Sequence, residues 1–297
     1  MSRKLILKTV HKTNKNQGGS TLTKVARSTI LIQVFDDLQL KLNIQVKDFN
    51  TLKIKHIKSL VEYWKAQDIK DRTIQNRLAA VRSALREVGR DEFADCEDFS
   101  NRAFGVSGAS RNGTHRPPDK QLLVDRLLAL PQEAQILANL QITLGLRLRE
   151  AVQCGLSLGA WENQLNRGNR ISVIHGTKGG RPRDVVIRPD HFESVKATIA
   201  NAKTYLIKNE RTELIDSVSL MGAVRAYERA LKAVGFVGPE ASHSFRVGFA
   251  RDQYQYHFQD TGGDRNEALA RLSLDLGHGD GRGRYCAQVY LRDPDPD

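Results

Sequence analysis

The chain has 297 residues and a formal net charge of +12, a length that suits two domains rather than one small core and a charge that asks for a polyanionic partner, most commonly nucleic acid. A membrane surface is the competing partner, but no apolar run reaches the ~20 residues that span a bilayer, and Lys4, Lys8 and Lys12 interrupt the apolar core a secretory signal needs. The three cysteines, Cys96, Cys154 and Cys286, are far apart and form no CxxC pair, which argues against a disulfide scaffold or structural zinc and for a reducing, cytoplasmic setting.

Residues 1–19 are polar and basic (Arg3, Lys4, Lys8, Lys12, Lys15) and close on Gly18-Gly19. They read as a flexible arm able to lie along a phosphate backbone, or as a merely solvated terminus. Residues 20–90 read as a helical DNA-binding domain. Its first helix is expected from Thr21 to Leu42, with Val25, Ile32, Phe35 and Leu38 on one face. The second runs from Lys53 to Gln67, with Ile54, Ile57, Leu60 and Tyr63 as its stripe. The third runs from Asp71 to Val88, with Ile74, Leu78, Val81 and Leu85 inward and Thr73, Asn76, Arg77 and Arg82 on a basic side. Arg77 and Arg82 are the candidates for DNA contact, against the plainer reading of a solvated charged face.

Residues 91–118 lose this period. Ser107-Gly108-Ala109-Ser110, Asn112-Gly113-Thr114 and Pro117-Pro118 read as an interdomain linker. Residues 119–297 form the second domain. Asp119 caps a helix through Leu130, a second spans Gln132 to Leu144, and another starts after Arg147. Ile171, Val173 and Ile174, then Val185, Val186 and Ile187, are two short strands around the turn Gly176-Thr177-Lys178-Gly179-Gly180, a hairpin by residue chemistry. Helices resume over Asp190–Ile207, Val218–Val234, from His243 onward, and over Asn266–Leu276. Thr261-Gly262-Gly263-Asp264 reads as an inserted loop and Asp293–Asp297 as a frayed acidic tail. The fold class is therefore mainly α with a small β-hairpin in the second domain.

Metal-free phosphodiester cleavage needs a nucleophile for phosphorus, cations for the equatorial oxygens and an acid for the leaving 5′ oxygen. Arg147 offers a planar fork that matches phosphate, and Glu150, one turn on, can hold it in place. Lys178 at the hairpin tip can serve as the acid. His243 and Arg246 share a helix face, and His278 follows Leu276-Gly277 at a helix end. Taken singly, each is ordinary: a surface Arg–Glu pair, a solvated lysine, a capping histidine.

Together, Leu144-Gly145-Leu146-Arg147-Leu148-Arg149-Glu150-Ala151, Gly176-Thr177-Lys178-Gly179-Gly180-Arg181-Pro182-Arg183, His243-Ser244-Phe245-Arg246 and Leu276-Gly277-His278 make the chain resemble the tyrosine recombinase, or phage integrase, family. The resemblance implies a two-domain DNA clamp, with a SAM-like helical core-binding domain and a catalytic domain. It implies site-specific recombination of double-stranded DNA through a 3′-phosphotyrosyl intermediate and a Holliday junction, with no metal, ATP or other cofactor. A monomer in solution would assemble as a tetramer on the attachment sites of a mobile element, with a possible accessory directionality factor and no membrane. Arg147, Lys178, His243, Arg246 and His278 would be catalytic, Glu150 supporting, and Arg181 and Arg183 on the DNA. A type IB topoisomerase, or a DNA-binding relative that has lost catalysis, are the alternatives. The departures lie between Arg246 and His278, which is long, and in the basic glycine-rich run Gly279–Arg284. Tyr285 falls earlier than the family's nucleophile and Tyr290 later. Tyr290 is preferred, because Val289-Tyr290-Leu291-Arg292 suits a short helix that fixes the phenol, whereas Tyr285 would sit on the loop.

Overall fold

In the computed structural model, which describes residues 3–15, 18–108 and 112–292, the chain divides after Ser110 into two units.

The first unit is helical: α1 (Arg3–Lys15), α2 (Thr21–Asp36) running on as a π-helical turn over Asp37–Lys41, α3 (Ile54–Ala66), α4 (Asp71–Glu87) and the short α5 (Asp91–Asp95). Ser20 starts α2 by accepting a hydrogen bond from the Thr23 amide, as a serine N-cap does. Phe35, Phe49, Ile57, Leu60, Trp64, Leu78, Val81 and Leu85 form the core. Three expectations change here. The basic arm is a helix over Arg3–Lys15, because Ile6 and Val10, one turn apart, are buried in the core while Lys8 and Lys12 face solvent; residues 1, 2, 16 and 17 of that stretch lie outside the described residues. Val25 is 57% exposed, and Leu31 and Val34 take the buried positions of α2 beside Phe35. The expected linker is largely folded. Ala94, Phe99, Phe104 and Val106 are buried in this unit, and Lys65 Nζ donates to the Phe104 carbonyl at 2.7 Å. Ala109 and Ser110 lie outside the described residues.

The second unit holds α6 (Lys120–Leu128), α7 (Gln132–Leu144), α8 (Leu148–Val152), α9 (Leu158–Leu165), strands β1 (Arg170–Val173) and β2 (Arg183–Val186), α10 (Phe192–Lys208), α11 (Leu220–Ala233), α12 (His243–Asp260), α13 (Arg265–Asp275) and α14 (Gly283–Cys286), which continues as a π-helical turn over Ala287–Leu291. Asp119 caps α6 through the amides of Gln121 and Leu122. The two strands pair antiparallel, Ile171 opposite Val185. Helix α7 is the buried spine, with Ile136, Leu137, Leu140 and Leu144 in the core and α8, α10, α11 and α12 packed around it. The expected inserted loop is a tight turn. Asp264 accepts from the amides of Asn266 and Glu267 and so starts α13, and the extra length lies in helix. Asp293–Asp297 lie outside the described residues, among which no helix is long and apolar enough to cross a membrane.

Candidate active site

Two left-handed glycines bring the cationic residues together. Gly145 ends α7 at φ +59°, and a Cβ there would collide with the Phe249 ring. The turn places Arg147 at the start of α8, where the Arg147 amide donates to Glu150 Oε2 at 2.8 Å and its guanidinium to Glu150 Oε1 at 2.6 Å. Glu150 thus holds Arg147 and also caps α8. Gly277 ends α13 at φ +63° and turns the chain toward His278.

Arg246, in the first turn of α12, is fully buried. It donates to the Gly145 and Leu276 carbonyls, and its Nε lies 3.4 Å from the Tyr290 hydroxyl. Arg147 shares the Leu276 carbonyl at 3.0 Å. His278 Nε2 lies 3.0 Å from the same Tyr290 hydroxyl, and the His243 and Tyr290 ring centroids are 5.8 Å apart. Tyr290 is therefore a phenol held between a guanidinium and an imidazole, only 3% exposed. Tyr285 is 42% exposed and stands on α14 rather than on a loop, with its ring 5.0 Å from that of His278. The Tyr290 segment is braced on its other side. Arg251 Nε donates to the Tyr290 carbonyl at 3.2 Å, and Gln288 donates to Asn112 Oδ1 at 3.2 Å. Lys178 is exposed in the turn between the strands.

The electrostatics follow from burial among cations. Burial, then Arg246, His115 and Arg147, pushes His243 down to about 4. Burial, then Arg246, Arg147, Lys178 and Arg183, pushes His278 down to about 3. Burial among cations therefore holds both imidazoles in the neutral form at pH 7. Burial would raise the Glu150 carboxyl, yet Arg183, Arg246 and Arg147 bring it down to about 2. Burial lowers Arg246 to about 10, which leaves it charged at neutral pH.

Three expected DNA contacts are placed otherwise. Arg183 is buried on β2, bonded to Glu150 at 2.9 Å and to the carbonyls of Gly145 and Asp275. Arg77 stacks on Trp64 at 4.9 Å and lies 3.7 Å from the buried Asp37 carboxylate. Arg82 donates to the Phe99 carbonyl and to Asn101. Arg183 and Arg82 give their hydrogen bonds inside their own units, where leaving a buried acceptor unpaired would be costly, and Arg77 is held by the stack and the ion pair. Arg181 is exposed.

Two features escaped the sequence reading. His115 packs its ring edge-on to His243, with centroids 5.1 Å apart. Asp275 accepts from His257 at 2.6 Å, from Gln253 at 2.7 Å and from the Val186 amide at 3.3 Å, which ties β2 to α12 and α13 beneath the site. A lone histidine in a loop and a lone aspartate at a helix end carry no signal for either.

Two family models match the chain, Integrase over residues 105–252 and the N-terminal phage integrase model over residues 3–94. Among solved structures, the Tn1549 transposon integrase in complex with transposon right end DNA aligns at TM-score 0.60 and 14% identity, over 98% of this chain and 96% of that one. A lambda integrase dimer bound to a COC′ core site gives 0.62 and 14%, over 98% and 78%. A lambda integrase tetramer bound to a Holliday junction gives 0.61 and 16%, over 98% and 78%. At these identities the structures show a shared fold. No protein of curated function matches the chain.

Proposed function

The chain belongs to the tyrosine recombinase (phage integrase) family, and from that premise we propose that it recombines DNA at specific sites by direct attack of Tyr290 on a backbone phosphorus. The bond from the phenolic oxygen to phosphorus forms as the bond to the 5′ oxygen breaks, which leaves a 3′-phosphotyrosyl link and a free 5′ hydroxyl. The phosphodiester energy is conserved in that link, so the reverse attack by a 5′ hydroxyl reseals the strand. The observation that carries this reading is the Tyr290 hydroxyl, 3.0 Å from a neutral His278 nitrogen and 3.4 Å from Arg246 Nε. The negative charge of the bound phosphate offsets the cations around His278 and restores its proton affinity, and His278 takes the phenol proton as the oxygen attacks. Arg246 and Arg147 neutralise the non-bridging oxygens, His243 bonds one of them, and Lys178 swings in to protonate the leaving oxygen. Exposed Lys8, Lys12 and Arg181 contact the backbone. Four copies act together on two sites; lambda integrase, which shares the fold, is a tetramer when bound to a Holliday junction.

A nicked suicide duplex that loses its 5′-hydroxyl fragment traps the adduct, which a denaturing gel resolves. Wild type and Tyr285→Phe should give the covalent band, and Tyr290→Phe should bind DNA without it. A band from Tyr290→Phe that Tyr285→Phe abolishes would transfer the nucleophile to Tyr285. Relaxation of a plasmid lacking any recombination site by monomeric protein would move the assignment to a type IB topoisomerase.

A further inference from the structure

The buried Arg183 guanidinium touches the supports of both phosphate-binding arginines and takes no place on the DNA. We propose that Arg183 is the positioning residue of this site, which fixes the acceptors on which Arg147 and Arg246 are held; the inference rests on the strand-cleavage reading above.

The geometry is specific. Nη2 of Arg183 donates to Glu150 Oε2 at 2.9 Å and to the Gly145 carbonyl at 3.2 Å, and its Nη1 donates to the Asp275 carbonyl. Glu150 is also the acceptor for Arg147. The Gly145 carbonyl is also the acceptor for Arg246. Asp275 directly precedes Leu276, whose carbonyl takes both Arg147 and Arg246. The stem of the same side chain supports the turn that delivers His278, since a Cβ on Gly277 would lie 2.6 Å from Arg183 Cδ. Arg183 opens β2, the strand that leaves the Lys178 turn. One planar fork thus joins α7, α8, α13 and the hairpin at the point where the clamp is assembled. A lysine keeps the charge but, as a point donor on a flexible stem, cannot span the same acceptors.

The test compares wild type, Arg183→Lys and Arg183→Met in single-turnover cleavage of the suicide duplex, beside gel shift and thermal melting. Arg183→Lys should cleave about 100-fold more slowly, the scale of a misplacement near 1 Å, with unchanged DNA affinity. The pH profile separates positioning from general destabilisation. The Glu150 carboxyl is faced by Arg147 at the start of α8, Arg246 on α12 and Arg183 on β2. Without Arg183 its carboxyl rises, so Arg183→Met should gain an acid limb in its cleavage profile. Wild type and the double variant Arg183→Met/Glu150→Gln should lack that limb. Wild-type rates in both Arg183 variants, or a rate loss matched by lost binding and equal at every pH, would overturn the proposal. If Arg183→Met does not fold, Arg183→Lys decides alone. A wild-type protein that forms no covalent adduct would remove the recombinase reading itself, whereas an adduct formed equally by wild type and Arg183→Lys removes only the role of Arg183.

Discussion

Replacing Glu150 by glutamine tests how far the site is held by charge. The side chain is fully buried, and its three partners, the Arg147 amide, the Arg147 guanidinium and the Arg183 guanidinium, are all donors. A carboxylate accepts from all three, whereas an amide has one acceptor oxygen and turns its NH2 toward a donor. Holding this carboxyl at about 2 instead of 4.5 corresponds to about 3 kcal/mol, at ~1.4 kcal/mol for each tenfold change in proton affinity. Breaking one side of a buried ion pair costs about 3–5 kcal/mol by a separate route, so the two agree on about 3. The folded value is depressed, so this stability is fully present above the ordinary carboxylate value and drains as pH falls toward about 2. Urea unfolding of the second unit, followed at pH 7 and pH 4, should therefore place Glu150→Gln about 3 kcal/mol below wild type at neutral pH, the gap narrowing by about 1 kcal/mol at pH 4. A gap under about 1 kcal/mol at pH 7, or one that does not change with pH, would refute the reasoning.

The other expectations are more local. His243 and His278 have folded values lowered from 6.5 to about 4 and about 3. The unfolded chain therefore binds their protons first, and stability should fall as pH drops below 6.5. The double variant His243→Gln/His278→Gln should flatten the fall in Tm between about pH 6.5 and pH 4.5, and an unchanged slope would count against buried neutral imidazoles. Gly145→Ala must adopt a left-handed backbone, at about 1–2 kcal/mol, and push into the Phe249 ring, at about 1–3 kcal/mol more; an unchanged Tm would show that the turn yields. Arg82→Gln should lower the melting temperature of the first unit and leave the salt dependence of DNA binding alone. Lys12→Gln should take about 0.9 off the slope of log affinity against log salt, and the reverse pattern would return Arg82 to the DNA.

Periodicity carried most of the helices to within a turn of their observed ends, since apolar positions three and four apart have one way to be buried together. It failed where charge masked it. Ile6 and Val10 are spaced for a helix, yet the lysines around them suggested an arm. That Arg147, Glu150, His243, Arg246, His278 and Tyr290 belong together was legible in the order of their motifs, and the structure brings them side by side. Which arginines are buried was not legible, because a guanidinium has the same formula buried or exposed. One clue at Arg183 was available: strands alternate faces, so Arg183 shares a side with Val185, and both are buried. Other partners, such as His115 against His243, come from segments distant in the chain, and only folding brings them together.

Leu276 and Gly145 present main-chain oxygens to the two arginines, and no substitution can delete a carbonyl. The blueprint of this site is therefore written in the path of the chain around two left-handed turns more than in the letters beside the arginines. Drift at Leu276 that preserves the turn leaves the acceptor intact, whereas a small change at Gly145 or Gly277 that alters the path displaces two guanidinium groups at once. Anyone transplanting this chemistry to a new scaffold would have to copy those turns before choosing a single side chain.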